Sequence, residues 1–165
     1  MNSLHNRRVP RHGGSLFAGF TMIELMVVTL VVAILAAVAY PSFAAYRHRS
    51  HRAQLHAAVA ALQQAQEEWR TEHASYTSDL STATGLGFGP DATHHELPGG
   101  RYRITVADAT AAGYEIRAEA IGSQTGDSEC LHLMLTVRGA DMQHASGRTA
   151  SLENAPTANA RCWNL

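Results

Sequence analysis

From Leu25 to Tyr46 the chain runs for 22 residues without a charge. As a helix that stretch is about 33 Å long at about 1.5 Å per residue, enough to cross a hydrocarbon core of about 30 Å. Its residues are Leu, Val, Ile, Ala and Met, with Thr29, Ser42 and a few aromatics, so no face is polar. Such a helix is surrounded on all sides by lipid or by protein. One acid, Glu24, stands at its entrance. Deeper in a bilayer a charge costs a few kcal/mol or more, and charged groups placed there are usually functional and paired.

The residues leading into the run are Gly19-Phe20-Thr21-Met22-Ile23-Glu24-Leu25. This junction resembles the N-terminus of type IV pilins and related pseudopilins. The resemblance implies cleavage between Gly19 and Phe20 by a prepilin peptidase, N-methylation of Phe20, and a role for Glu24 in filament assembly. Cleavage would turn the Phe20 nitrogen from a neutral amide into an α-amine with a pKa of about 7.7–8.0, largely protonated at pH 7. Processing thus creates a counter-ion for Glu24. The residues leave open whether the pair forms within one chain or between neighbours; the resemblance favours neighbours. The plainer alternative is that Glu24 sits in the headgroup region beside a helix N-terminus, where negative charge is favoured.

Residues 1–19, with Arg7, Arg8, Arg11, Pro10 and Gly13-Gly14, read as a leader to be set aside from the fold. Ala37-Val38-Ala39 imitates an ordinary signal-peptidase site, but Glu24 and the continuing run oppose that reading. All 13 basic residues are Arg, against 14 acids, for a formal net charge of −1. The acids all lie beyond the leader, so the mature chain carries ten Arg against fourteen acids and gives no global argument for nucleic-acid binding. Arg7, Arg8 and Arg11 on one flank of the run balance Arg47, Arg49 and Arg52 on the other. The positive-inside comparison therefore ties. A cytoplasmic leader follows from the resemblance and from the cysteines.

The helix is expected to continue to about Glu72. Pro41 should kink or loosen it, since proline removes a donor and crowds the preceding turn. Arg47-His48-Arg49-Ser50-His51-Arg52 reads as a solvated or headgroup-level collar; a patch for DNA phosphates is the sharper alternative, and anionic lipid fits equally well. From Gln54 to Trp69, Leu55, Ala58, Val59, Leu62, Ala65 and Trp69 form an apolar stripe at helical spacing. The exit Glu72-His73-Ala74-Ser75-Tyr76-Thr77 is similar to that of type IVa pilins, especially a minor-pilin group.

Residues 73–100 read as irregular. Three strands follow: Tyr102, Ile104 and Val106 alternate with polar neighbours, as do Tyr114, Ile116, Ala118 and Ala120, and Leu131, Leu133, Leu135 and Val137. One apolar and one polar face per strand predicts an antiparallel sheet covered on one side, by the amphipathic helix half. A fourth short strand near Met142–His144 is weakly signalled. Cys130 and Cys162, both beyond the membrane-length run, read as one disulfide in an oxidising compartment. The bridge would close a loop of about 33 residues, worth roughly 3–4 kcal/mol.

His94-His95-Glu96 imitates a metal cluster but lacks the ligand number and spacing of a zinc site. Neither a phosphate-binding glycine loop nor a nucleophile elbow is present. The chain is not read as an enzyme, and no metal or cofactor is assigned.

The expected class is α+β: a pilin fold with a long N-terminal helix on a three- to four-stranded antiparallel sheet and a C-terminal disulfide-bounded region. The expected parts are leader 1–19, transmembrane and assembly half 20–46, and periplasmic or extracellular head 47–165. The resemblance implies a type IV pilus subunit, more minor than major, held in the inner membrane as a precursor and then assembled into a surface pilus for twitching, adhesion or DNA uptake. Its partners would be other pilin subunits, the prepilin peptidase and the inner membrane, with DNA or a surface ligand as an unproven addition. The alternatives are a type II secretion pseudopilin and, from another class, a membrane-tethered binding domain that never polymerises.

Overall fold

A computed structural model describes residues 19–152 and 154–163. Apart from Gly19, the leader lies outside the described residues. The chain divides into two units, Met1–Tyr40 and Pro41–Leu165. Helix α1, Met22–Glu72, contributes to both and continues through position 41 without interruption.

In the first unit α1 is capped by Thr21. Its hydroxyl accepts from the Glu24 amide at 3.2 Å, and its carbonyl accepts from Leu25 N at 3.2 Å. A Thr at this position satisfies one of the orphan amides of the first turn. The helix beyond it is long and apolar enough to cross a membrane.

In the second unit α1 lays Leu55, Val59 and Leu62 into the core, as their three- and four-residue spacing predicts. Five strands complete it: β1 His95–Glu96, β2 Tyr102–Ala107, β3 Gly113–Ala120, β4 His132–Arg138 and β5 Asp141–Gly147. They form one antiparallel meander in sequence order. Register places Ile104 opposite Ala118, and Ile116 opposite Leu135. One face of the sheet thereby becomes a continuous apolar layer of Tyr102, Ile104, Val106, Tyr114, Ile116, Leu133, Leu135 and Val137, all buried. Gly113 admits a close approach, because a Cβ there would run into the Val137 carbonyl oxygen. Gly139, at φ +58°, opens the two-residue turn between β4 and β5, where a left-handed residue is needed.

Beyond the three clear strands of the sequence the sheet has two more, β1 and β5, the latter taking in the fourth strand weakly signalled near Met142–His144. β1 is only two residues long and lies in the stretch expected to be irregular. β5 is a full strand, and it lacks an apolar inner face. Opposite Leu133, Leu135 and Val137 it places Ser146, His144 and Met142. A second helix, α2 Pro156–Cys162, begins on a proline, which suits a first turn. It satisfies that polar edge. Asn159 is buried, accepts from the Ser146 hydroxyl at 2.9 Å and donates to the His144 carbonyl at 2.6 Å. Trp163 Nε1 donates to the Ala145 carbonyl at 3.1 Å.

Candidate assembly site

The expected processing junction is accessible. Gly19 is exposed, with nothing within 4 Å of where a Cβ would stand, and Phe20 is 77% exposed just ahead of α1. Glu24 lies in the first turn of α1, with its side chain exposed. From Phe20 to Tyr46 the large apolar side chains point outward on every side of the helix, among them Ile23, Met26, Leu30, Ile34, Leu35, Val38 and Phe43. The most apolar 18 residues have none of their side chains buried. Burying such a side chain fully is worth about 1.5–3 kcal/mol, so the surface strongly favours lipid or other helices over water. Nothing is described of the Pro41 side chain, and its role in the helix stays an expectation.

Where α1 enters the second unit, the structure corrects the reading of the basic run. Arg47 and Arg49 are exposed, but His51 and Arg52 are buried. They meet the 3-10 turn Gly122–Gly126 and its exit. Gln124, wholly buried, is the hub. Its Oε1 faces His51 Nδ1 at 2.7 Å and His48 Nδ1 at 3.2 Å. Its Nε2 donates to the Tyr102 hydroxyl and to Asp127 Oδ2, both at 3.0 Å. Arg52 pairs with that same Asp127 carboxylate. A charge leaves water here only because its counter-charge is in contact. Burial, and then the Asp127 charge, push the Tyr102 phenol well above its ordinary range. This clamp was not legible in the sequence: a glutamine between glycines carries no signal of its own, and Asp127 lies 75 residues from Arg52 along the chain.

A second buried amide fixes the other end of the helix. Gln66 Nε2 donates to the Thr77 carbonyl at 2.6 Å, and Gln66 Oε1 accepts from Thr77 N at 3.1 Å. The side chain thus imitates a strand neighbour and holds the helix exit.

Cys130 and Cys162 are joined, with Cα atoms 5.6 Å apart, and both are buried. Next to the bridge, Glu129 is shared by Arg148 and Arg161. Trp163 lies between two imidazoles: His56 of α1 stacks on it at 5.3 Å, and His144 of β5 meets it edge-on at 4.7 Å. Burial lowers the pKa of both histidines. The disulfide, Trp163 and His56 together lock the C-terminal segment against α1.

His94 and His95 do not converge on a metal. His94 pairs with Asp91 at 3.2 Å and His95 packs edge-on against Phe88. Among the described residues no group of three or more His, Cys, Asp or Glu is arranged to hold a metal ion.

The comparisons bear on both units. Residues 15–40 match the prokaryotic N-terminal methylation motif. Residues 41–134, more than half of the chain, match the family model described as type IV minor pilin ComP, DNA uptake sequence receptor. The type IV major pilin protein PilA of Myxococcus xanthus is 37% identical over 99 residues, covering 60% of this chain and 40% of that protein. The type IV wide pilus major component PilA4 of Thermus thermophilus is 38% identical over 69 residues, covering 42% of this chain and 53% of that protein. The matched stretch thus spans about half the length of these relatives. With the methylation motif, the long apolar helix, the antiparallel sheet and the C-terminal disulfide, the chain belongs to the type IV pilins, within the ComP minor-pilin family.

Proposed function

We propose that this protein is a minor subunit of a type IV pilus. It is made as an inner-membrane precursor, cut by a prepilin peptidase between Gly19 and Phe20, N-methylated at Phe20, and built into the filament through the first half of α1. The observation that carries this reading is the helix surface from Phe20 to Tyr46, apolar all round and exposed, with a single acid in its first turn. In the precursor, lipid covers that surface. In the filament, other helices replace the lipid. Glu24 then needs a cation, and the new Phe20 amine of a neighbouring subunit supplies one. The Glu24→Ala variant should insert in the membrane and be processed at wild-type levels, yet be lost from sheared surface filaments. Normal incorporation of that variant would contradict the assembly role and favour a tethered binding domain.

DNA is the partner that the family description favours. Residues 41–165 hold ten Arg against thirteen acids, so attraction to phosphate would have to be local. The exposed Arg47 and Arg49, which meet no acid among the described residues, are the cations available, whereas the exposed Arg148 and Arg161 share Glu129 and Arg138 faces Glu115. Binding of the full chain in detergent to duplex DNA should weaken as salt rises, since each phosphate contact releases counter-ions. Binding indifferent to salt, or none at all, would remove DNA from the account.

A further inference from the structure

An open cleft of about 790 Å³ lies between α1 and the C-terminal segments of the second unit. Its volume falls within the roughly 300–1,000 Å³ of small-molecule sites. Ala45, Ala53, Gly126 and Ala160 are the small residues that leave it open. Its charged lining is Arg49, Arg52 and Arg161 against Asp127 and Glu129, so one positive charge is in excess. Arg52 neutralises Asp127, and Glu129 has a second partner in Arg148, which stands outside the lining. Arg49 is exposed and meets no acid among the described residues. Two imidazoles complete the cleft. Nδ1 of His48 faces Gln124 Oε1 at 3.2 Å, and Nε2 of His56 faces the Cys162 carbonyl oxygen at 3.2 Å. Each of these nitrogens therefore carries the proton, and the other nitrogen of each neutral ring is an acceptor.

The sequence sets the depth of this cleft. Ala44 and Ala45, both in its lining, are among the last residues of the uncharged run. The 22 residues of that run already match a hydrocarbon core of about 30 Å. The side chains that follow fall at the level of lipid phosphates. The cleft also takes one side of α1. Ala45, Arg49, Arg52, Ala53 and His56 fall within a sector of about 100° at about 100° per residue, and Arg47 lies roughly opposite. A ligand that fits carries one negative charge and hydroxyls for the carboxylates and imidazoles. From this match and this depth we infer that the cleft binds the headgroup of an anionic phospholipid of the precursor's bilayer, a phosphodiester bearing an uncharged polyol. Its phosphate meets Arg49 and Arg161, and its hydroxyls donate to Glu129 and to the acceptor nitrogens of His48 and His56. A zwitterionic headgroup brings an ammonium group to the same arginines and fits less well. The inference rests on the membrane-precursor reading. It adds that a chain leaving the bilayer for the filament gives up this headgroup.

The test is native mass spectrometry of the full chain in neutral detergent with phosphatidylglycerol or phosphatidylcholine added. One phosphatidylglycerol per chain should be retained, roughly fivefold more tightly than phosphatidylcholine. Arg49→Gln should abolish that preference, and Arg47→Gln, on the opposite side of the helix, should change it by less than about twofold. Ala53→Trp, which fills the cleft and removes no charge, should abolish it as well. Equal retention of the two lipids by the wild-type chain would overturn the inference. So would equal losses from Arg47→Gln and Arg49→Gln, the mark of a diffuse basic collar, or a preference that survives Ala53→Trp. Competition fixes the source of the phosphate. Glycerol 3-phosphate, inorganic phosphate or duplex DNA should fail to displace the lipid at equal phosphate concentration. Displacement would assign the cleft to a soluble anion or to nucleic acid and overturn the lipid. A separate measurement addresses the membrane-precursor reading: the full chain should stay in carbonate-washed membranes. Recovery in the wash would mean that the chain is not anchored, and that reading fails. Retention there without a preference for phosphatidylglycerol overturns the inference alone.

Discussion

At the scale of the residue, the head is held by polar side chains that the core pattern does not explain. Arg52 and Asp127 are each nearly buried, at 11% and 13% side-chain exposure, and Gln124 is wholly so. Removing one partner of such a pair strands the other charge. Asp127→Ala should destabilise the chain by roughly 3 kcal/mol, seen as a lower denaturant midpoint in detergent. Replacing both, with Arg52→Met and Asp127→Leu, should cost less than the single change, because no charge is left behind. If the single variant unfolds at the wild-type midpoint, the clamp is not structural. These residues show where the sequence falls silent. Leu55, Val59 and Leu62 announce themselves by spacing. Arg52 sits in a run of arginines and histidines that reads as solvated, and only the fold reveals that Asp127 comes to meet it.

At the scale of the element, strands with an apolar alternation were plainly legible, β5 without one was signalled only weakly near Met142–His144, and the two-residue β1 was not legible. β2, β3 and β4 follow their Ile, Val, Leu and Tyr periodicity, with the expected positions buried except Leu131, which is half-buried just ahead of β4. β5 turns Met142, His144 and Ser146 toward that face, and its cover is α2 and Trp163, polar groups answering polar groups. The disulfide holds that cover in place. Cys130→Ser with Cys162→Ser should cost roughly 3–4 kcal/mol, measured as the denaturant midpoint against the oxidised chain. The same cover makes stability sensitive to pH. Burial lowers the folded-state pKa of His56 and His144 below 6.5, the value each imidazole regains on unfolding. The unfolded chain then binds protons that the folded chain resists. Their contribution is intact above about pH 6.5, falls as the pH drops below it, and levels off beneath the folded pKa values. The melting temperature should decline from about pH 7 to pH 5, and His56→Gln with His144→Gln should flatten that decline. A wild-type melting temperature that rises over this range would contradict the assignment.

At the scale of the whole molecule, the N-terminal quarter was the most legible part. A membrane-length run without charge, an acid at its entrance and a Gly-Phe junction ahead of it constrain the chain more than any residue of the head. Apolar length is a property of composition and needs no tertiary contact to be read. The head's partners are harder to read, because a near-balanced surface such as the outer face of the sheet, where Arg103 pairs with Glu96 and Arg117 with Glu115, names no ligand. The central claim, that the chain is a processed filament subunit, turns on a single bond. The most direct measurement is the intact mass and N-terminal sequence of the protein recovered from sheared surface filaments. A chain starting at Phe20, with or without one added methyl group, is the predicted result. A start at Met1 would mean an uncut anchor, and a start at Tyr40 a secreted globular protein; either would contradict assembly through Phe20 and Glu24.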